Sequence, residues 1–224
     1  DPLRMLRAAR FIARFNCEPD QELLDAVEQH RSRMKIISAE RIRDELSKLL
    51  IVEDCSKGLY FLSETKLSDE FFPEFNLMSF PQDPNNHHKD VLIHTIAVVN
   101  NTRPELRVRL AALFHDIAKP DTYEIGENGV TFRFHEVLGA KMTRKRMREL
   151  AFSKEMIKEV SQLVFLHLRI HTYAMGWTDS AVRRYVRDAG ELLEDLNHLQ
   201  RCDCTTKNPK KAKELSDRMD DLES

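Results

Sequence analysis

Two imidazoles and two carboxylates in this chain stand at spacings that suit a divalent cation. His115 and Asp116 adjoin within Leu113-Phe114-His115-Asp116-Ile117-Ala118-Lys119, behind an apolar lead-in that reads as the end of a helix. That pair sets a ring nitrogen beside a carboxylate oxygen. His94 lies about 20 residues upstream, on what reads as the preceding helix, and Asp203 lies nearly ninety residues downstream, near the end of another. Mixed imidazole and carboxylate donors fit hard-to-borderline ions such as Mg²⁺, Mn²⁺, Fe²⁺, Co²⁺ or Zn²⁺. Such an ion acidifies a bound water and polarises a phosphoryl oxygen, which is the chemistry of phosphoester hydrolysis. His30, His87, His88, His171 and His198 show no comparable pattern and read as surface or satisfied core residues.

The arrangement His94…His115-Asp116…Asp203 resembles the HD superfamily of metal-dependent phosphohydrolases. In binuclear members of that superfamily, histidines at comparable places bind a second metal. The resemblance therefore implies ligand roles for His135, in Phe134-His135-Glu136-Val137-Leu138-Gly139-Ala140, and for His167, in Leu163-Val164-Phe165-Leu166-His167. One or two ions would then occupy the site. Lys119 or Arg184 would offset charge developing on the phosphoryl group, making His115, Asp116, Lys119 and Arg184 the expected catalytic set.

A second resemblance covers the start of the chain. Asp1-Pro2-Leu3-Arg4-Met5-Leu6-Arg7-Ala8-Ala9-Arg10-Phe11 is similar to the end of the nucleotidyltransferase head in bacterial CCA-adding tRNA nucleotidyltransferases and the related poly(A) polymerases. Their template motif reads Glu-Asp-x-x-Arg. By that resemblance Asp1 and Arg4 hydrogen-bond the Watson–Crick edge of an incoming CTP or ATP, the carboxylate accepting and the guanidinium donating. On the residues alone, Asp-Pro is a good helix start and Arg4 a solvated helix residue. The likeness continues through Ile37-Ser38-Ala39-Glu40-Arg41-Ile42-Arg43-Asp44-Glu45-Leu46, which looks like the family's neck. It runs on through Trp177-Thr178-Asp179-Ser180-Ala181-Val182-Arg183-Arg184-Tyr185 and Asp203-Cys204-Thr205-Thr206, and looks closest to actinobacterial-type enzymes. Nucleotidyl transfer in that family needs a Gly-Ser loop and an Asp-x-Asp pair to hold Mg²⁺. Neither occurs in residues 1–224, so the expectation is a fragment of a longer protein that lacks its catalytic head.

Basic residues cluster three times: Lys141, Arg144, Lys145, Arg146 and Arg148; Arg183, Arg184 and Arg187; Lys207, Lys210, Lys211 and Lys213. Such clusters suit a phosphate backbone, although charge runs on helices are commonly solvated faces. The formal net charge of -2 leaves no global positive field to gather nucleic acid, so any such binding must be local.

The elements that must position these residues are helical. Only 6 Gly, 32% charged and 42% hydrophobic residues favour helices over strands. Apolar residues at 3–4 spacing run from Leu3 to Phe15, and further helices are expected at 20–31, 38–52 and 54–63. The aromatic, proline-rich stretch from Phe71 to Asn86 reads as irregular linker. Helices then resume at 90–102, 105–118, 135–150, 153–171, 178–188, 190–204 and 207–222. Alternation of Tyr123, Ile125, Val130, Phe132 and Phe134 around Gly126 and Gly129 predicts a small hairpin near 122–134. Cys17, Cys55, Cys202 and Cys204 are too irregularly spaced for a disulfide framework or zinc knuckle and read as reduced thiols. No apolar run approaches the roughly 20 residues of a membrane span, and a cytoplasmic protein is expected.

The expectation is thus an all-α chain: a helical neck and body over 1–64, a linker over 65–84, and an HD domain with a C-terminal helix over 85–224. The implied parent function is tRNA 3′ CCA addition from CTP and ATP, with Mg²⁺ in the missing head and tRNA as partner. The activity the fragment itself would keep is metal-dependent hydrolysis of a phosphoester such as a 2′,3′-cyclic phosphate. A free-standing HD nucleotidase or phosphodiesterase, and an RNA-binding helical module with a vestigial HD site, stand as alternatives.

Overall fold

A computed structural model describes residues 1–81, 90–126, 129–169, 177–204, 210, 213–214, 217 and 219–220. Helices dominate, and the two short strands form one antiparallel hairpin, β1 (Tyr123–Gly126) paired with β2 (Gly129–Phe132) in the register Tyr123↔Phe132. The fold is therefore the all-α one expected, with its hairpin in place. Among the described residues no helix is long and apolar enough to cross a membrane.

The amino-terminal half is built on α1 (Leu3–Phe15), α2 (Gln21–His30), α3 (Ala39–Leu50) and α4 (Ser56–Glu64). Helix α1 buries Leu3, Leu6, Ala9, Ile12 and Ala13 along one stripe, and α3 presents Ile42, Leu46, Leu49 and Leu50 to it. Asp1 Oδ1 accepts the Leu3 amide at 3.1 Å, satisfying a donor that the first turn leaves open. Gly58 on α4 permits a close helix crossing: a Cβ there would lie 2.5 Å from both the Ala9 carbonyl oxygen and Leu49 Cδ1.

The aromatic stretch read as linker is packed into the core. A 3₁₀ turn (Leu67–Glu70) and the short α5 (Glu74–Leu77) occupy it, burying Phe71, Phe72, Phe75 and Met78. Phe72 packs at a tilt, ring centres 5.0 Å apart, on Phe114 of α7 (Leu106–Phe114). Proline and aromatic residues break helical periodicity there, but the rings bury apolar surface whatever the backbone does.

The second half comprises α6 (Val91–Asn101), α7, α8 (His135–Glu149), α9 (Lys154–Leu166), α10 (Asp179–Ala189) and α11 (Leu193–Asp203). Asp90 caps α6 and Ser153 caps α9 through the Ile93 and Met156 amides. Helix α7 ends at Phe114, four residues before the expected 118. From there the chain tightens, with Ile117 N donating to Phe114 O and Lys119 N to Asp116 O, as Pro120 approaches. Most of the expected 207–222 helix, with Lys207 and Lys211, lies outside the described residues, as do His87, His88 and His171.

One continuous apolar core joins the two halves. The fully buried Arg109 of α7 reinforces the joint, donating to the carbonyl oxygens of Leu50, Val52, Glu53 and Thr102 and so capping the open end of α3. Arg146 of α8 grips Glu74 through Nε and Nη2 at 2.9 and 2.8 Å.

Candidate metal centre

Three helices and two helix exits deliver six side chains to a single buried point. His94 comes from the end of the first turn of α6, His115 and Asp116 from the turn after α7, and His135 from the first residue of α8. His167 follows α9, and Asp203 closes α11. His115, Asp116, His135 and His167 are buried. Placing the His-Asp pair beyond the last α7 residue frees both side chains from the helix surface, so they aim inward at neighbouring angles.

Asp116 sits between two groups of donors. Its Oδ2 lies 3.1 Å from His115 Nε2 and 3.6 Å from His94 Nε2, while its Oδ1 lies 3.5 Å from His135 Nε2 and 4.0 Å from His167 Nε2. His94, His115 and Asp116 can therefore share one ion, and Asp116, His135 and His167 another. Asp203 joins the first group, with Oδ1 at 2.9 Å from His94 Nε2 and 3.6 Å from His115 Nε2.

Backbone carbonyls fix which ring nitrogen faces the site. His115 Nδ1 donates to Ala112 O at 2.7 Å, His135 Nδ1 to Phe132 O at 2.7 Å, and His167 Nδ1 to Val164 O at 2.6 Å. A carbonyl can only accept, so each Nδ1 carries a proton and each Nε2 turns inward. A neutral ring so anchored presents its Nε2 lone pair, the arrangement that orients histidine ligands in metal centres. His135 Nε2 and His167 Nε2 are buried with no hydrogen-bond partner. Stranding such acceptors costs about 1–3 kcal/mol each, and a divalent cation between them would remove that cost. The residues present fit the ion.

The electrostatics of the protein alone agree. Burial opposes charge on His115, but the Asp116 and Asp203 carboxylates overcome it and raise its pKa to about 10. Burial likewise opposes ionisation of Asp116, yet the His115 and Lys119 charges hold its pKa well below the ordinary carboxylate value. Burial also works against Asp203, and bonds from His115 and His94 hold it low in the same way. His167 goes the other way: burial, then the charge on His115, press it to about 3 and keep the ring neutral. Protons here do provisionally what a cation would do better.

The remaining expected site residues divide. Lys119 Nζ lies 2.7 Å from Asp116 Oδ2 and 5.3 Å from the centre of the Phe132 ring, so it belongs to the cluster. Arg184 is exposed on α10 and, among the described residues, makes no bond to any cluster side chain. Asp1 pairs with Arg41 at 2.8 Å, and Arg4 is exposed one turn along the same helix end; among the described residues neither bonds to a side chain of the cluster.

Sequence reasoning missed the supports. Gln200 on α11 donates to the His167 carbonyl at 3.0 Å and accepts from the Tyr185 hydroxyl, tying the helix that ends in Asp203 to the His167 turn. The buried Asp195 accepts from both Arg103 and Arg107, clamping α11 to α7 so that Asp203 reaches His94. A polar residue at a core position of α11 was the available signal, but it names no partner.

With this geometry in hand, comparison places the protein: residues 91–208 match the model of the HD domain, and the chain belongs to that family. Residues 16–78 match a model described as the probable RNA and SrmB-binding site of polymerase A. The chain is 32% identical over 219 residues to an A-adding tRNA nucleotidyltransferase of Deinococcus radiodurans, an alignment covering 91% of this chain and 49% of that protein. It is 31% identical over 215 residues to a CC-adding tRNA nucleotidyltransferase of Thermus thermophilus, with the same coverage. A multifunctional CCA protein of Nitrosospira multiformis matches at 32% over 129 residues, 54% of this chain and 31% of its own. The chain thus spans about half the length of the first two relatives.

Proposed function

We propose that the cluster is a hydrolytic metal centre that cleaves phosphoesters, with nucleotide 2′,3′-cyclic phosphates and 2′-phosphates as the first substrates to try. The observation that carries this reading is the two-sided Asp116, flanked by inward-facing imidazole lone pairs that have no protein partner. His94, His115, Asp116 and Asp203 would hold one ion, and Asp116, His135 and His167 a second. Divalent ions there supply Lewis acidity to a phosphoryl oxygen and acidify water.

The chain's own groups do the rest. The i to i−3 carbonyl bonds hold the three rings in one tautomer. Lys119, close to Asp116 Oδ2, places an ammonium where phosphoryl charge would develop. Arg184 has the charge to approach a bound substrate from α10.

For the whole protein of which these residues are a half-length match, we infer CCA-end synthesis on tRNA from CTP and ATP, in the cytoplasm. What supports it is the pair of tRNA nucleotidyltransferase relatives and the polymerase-type RNA-binding match over 16–78. In that setting Asp1 and Arg4, exposed at one helix end, would read the incoming base.

The test is metal analysis of the purified chain joined to hydrolysis of 2′,3′-cyclic AMP and 2′-AMP, with Asp116→Asn beside it. Bound ion and hydrolysis, both lost in the variant, are expected. Hydrolysis that survives Asp116→Asn would sink the mechanism.

A further inference from the structure

A cavity of about 730 Å³ opens between α8 and α9, and none of its lining residues is a metal ligand. Its volume falls within the range of small-molecule sites, roughly 300–1,000 Å³. Four cations converge on it, Arg144 and Arg148 from α8 and Lys154 and Lys158 from α9, together with the rings of Phe152 and Phe165. No acidic residue lines it. Among the described residues, none of the four cations pairs with a carboxylate; Arg144 has only the Ser161 hydroxyl, at 3.5 Å.

The contrast with Arg146 on the same helix is informative. Arg146 is bound by Glu74 and Glu149 and stays out of the cavity. Charge on α8 is therefore sorted, part of it spent on joining the two halves and part left uncompensated around an opening. The turn that leads into its Phe152 edge is tied to the other half. Arg43 of α3 donates to the Ala151 carbonyl at 2.6 Å, and Ala151 itself takes the left-handed backbone (φ 55) that turns α8 into α9. Phe165 is partly exposed, with the Arg169 guanidinium 5.7 Å from its ring centre.

We infer that this groove binds nucleotide units, a base stacking on the exposed Phe165 ring while phosphate sits between the arginines and lysines. Guanidinium forks match phosphate oxygens, and base–aromatic stacking tolerates any base. A purely apolar ligand would leave four charges unmatched, and a bare phosphate would leave the rings unused. The same chemistry comes from a free nucleotide or from consecutive residues of an RNA strand.

The probe is a fluorescein-labelled hexanucleotide RNA of A and C, titrated into the 224-residue chain in chelating buffer so that the metal centre is silent. Arg148→Gln with Lys158→Gln is expected to weaken binding at least tenfold. It should lower the salt slope by about 1.4, two phosphate contacts at about 0.7 each for single strands. Lys141→Gln with Lys145→Gln, exposed on the same helix but outside the groove, is expected to change affinity less than twofold. Phe165→Ala is expected to cost about threefold. Displacement by AMP would assign the groove to free nucleotides, and displacement by unlabelled hexamer alone to an RNA strand; either upholds the inference. Absence of wild-type binding, equal loss in both double variants, wild-type affinity in Phe165→Ala, or equal displacement by polyglutamate of matched charge would each overturn it. Circular dichroism melts guard against misfolding, and the metal content of each variant separates this result from the hydrolytic reading.

Discussion

Asp116 and Asp195 are both buried carboxylates packed near α7, and their surroundings differ in kind. Asp195 is closed off by two guanidinium groups, from Arg103 and Arg107, whose charge is permanent. Asp116 is ringed by imidazoles and one ammonium, and two of those imidazoles keep an unpartnered nitrogen in the interior. A carboxylate matched by fixed cations is a rivet. One surrounded by donors that still hold free lone pairs is a place for something to bind.

The sharpest way to break that contrast is a crossed pair of substitutions. Asp116→Asn should abolish ion binding and lower hydrolysis by at least ~10³-fold, and in chelator at neutral pH it should also lose the stability that the carboxylate shares with the His115 and Lys119 cations. Hydrolysis rates and plasma emission spectrometry give the first readout and calorimetry the second. Asp195→Asn should cost about 2 kcal/mol, because two partly exposed guanidinium groups lose their partner, while an ion still binds. If both variants lose metal and stability together, the distinction between rivet and site fails.

Next in size is the effect of the ion itself. Saturating Mn²⁺ at about a hundred times its dissociation constant should add about 2.7 kcal/mol to the folded state of the wild type and nothing to Asp116→Asn. A thermal shift series in Mn²⁺ checks this, with Asp195→Asn responding as the wild type does.

Acidity sharpens the comparison further. In ion-free protein the His115 pKa is raised to about 10, above its unfolded value near 6.5. That group's stabilisation is complete below about pH 6.5 and is lost as pH rises toward 10. Chelated protein should therefore lose stability over that window. Because ion binding must displace the His115 proton, apparent affinity for Mn²⁺ should rise roughly tenfold per pH unit within it. Calorimetric titration in buffers of different ionisation enthalpy should register about one proton released per ion. An affinity flat with pH would mean His115 is not a ligand.

The smallest expected effect is at the amino terminus. Asp1→Ala or Arg4→Ala should change hydrolysis at the HD centre less than about twofold, since both are exposed and remote from its ligands in the hydrogen-bond network. Loss of the Asp1–Arg41 pair should cost no more than about 1 kcal/mol of stability, read from the melting curve.

Much of this protein was legible before folding was considered. Helix positions followed from the 3–4 spacing of residues such as Leu3, Leu6 and Ile12, because a helix repeats its face on that period whatever it packs against. The hairpin followed from alternation around Gly126 and Gly129, and the histidines and carboxylates that cluster were named by residue chemistry and family likeness. The Phe71–Phe75 segment escaped, since irregular backbone buried by tertiary contact leaves no period to read. Helix α7 was drawn four residues too long for a related reason: His115-Asp116 lies in a turn whose shape the neighbouring helices set.

Which residues meet was settled by packing between distant parts of the chain. The sequence supplied histidines and carboxylates but could not say that Asp116 would present one oxygen to each of two imidazole groups. Nor could it say that α8 would divide its arginines, Arg146 to an ion pair and Arg144 and Arg148 to an open groove. Local periodicity is a property of neighbours along the chain. Coordination, ion pairing and cavities depend on residues far apart in it, brought together only when the apolar faces are buried against one another.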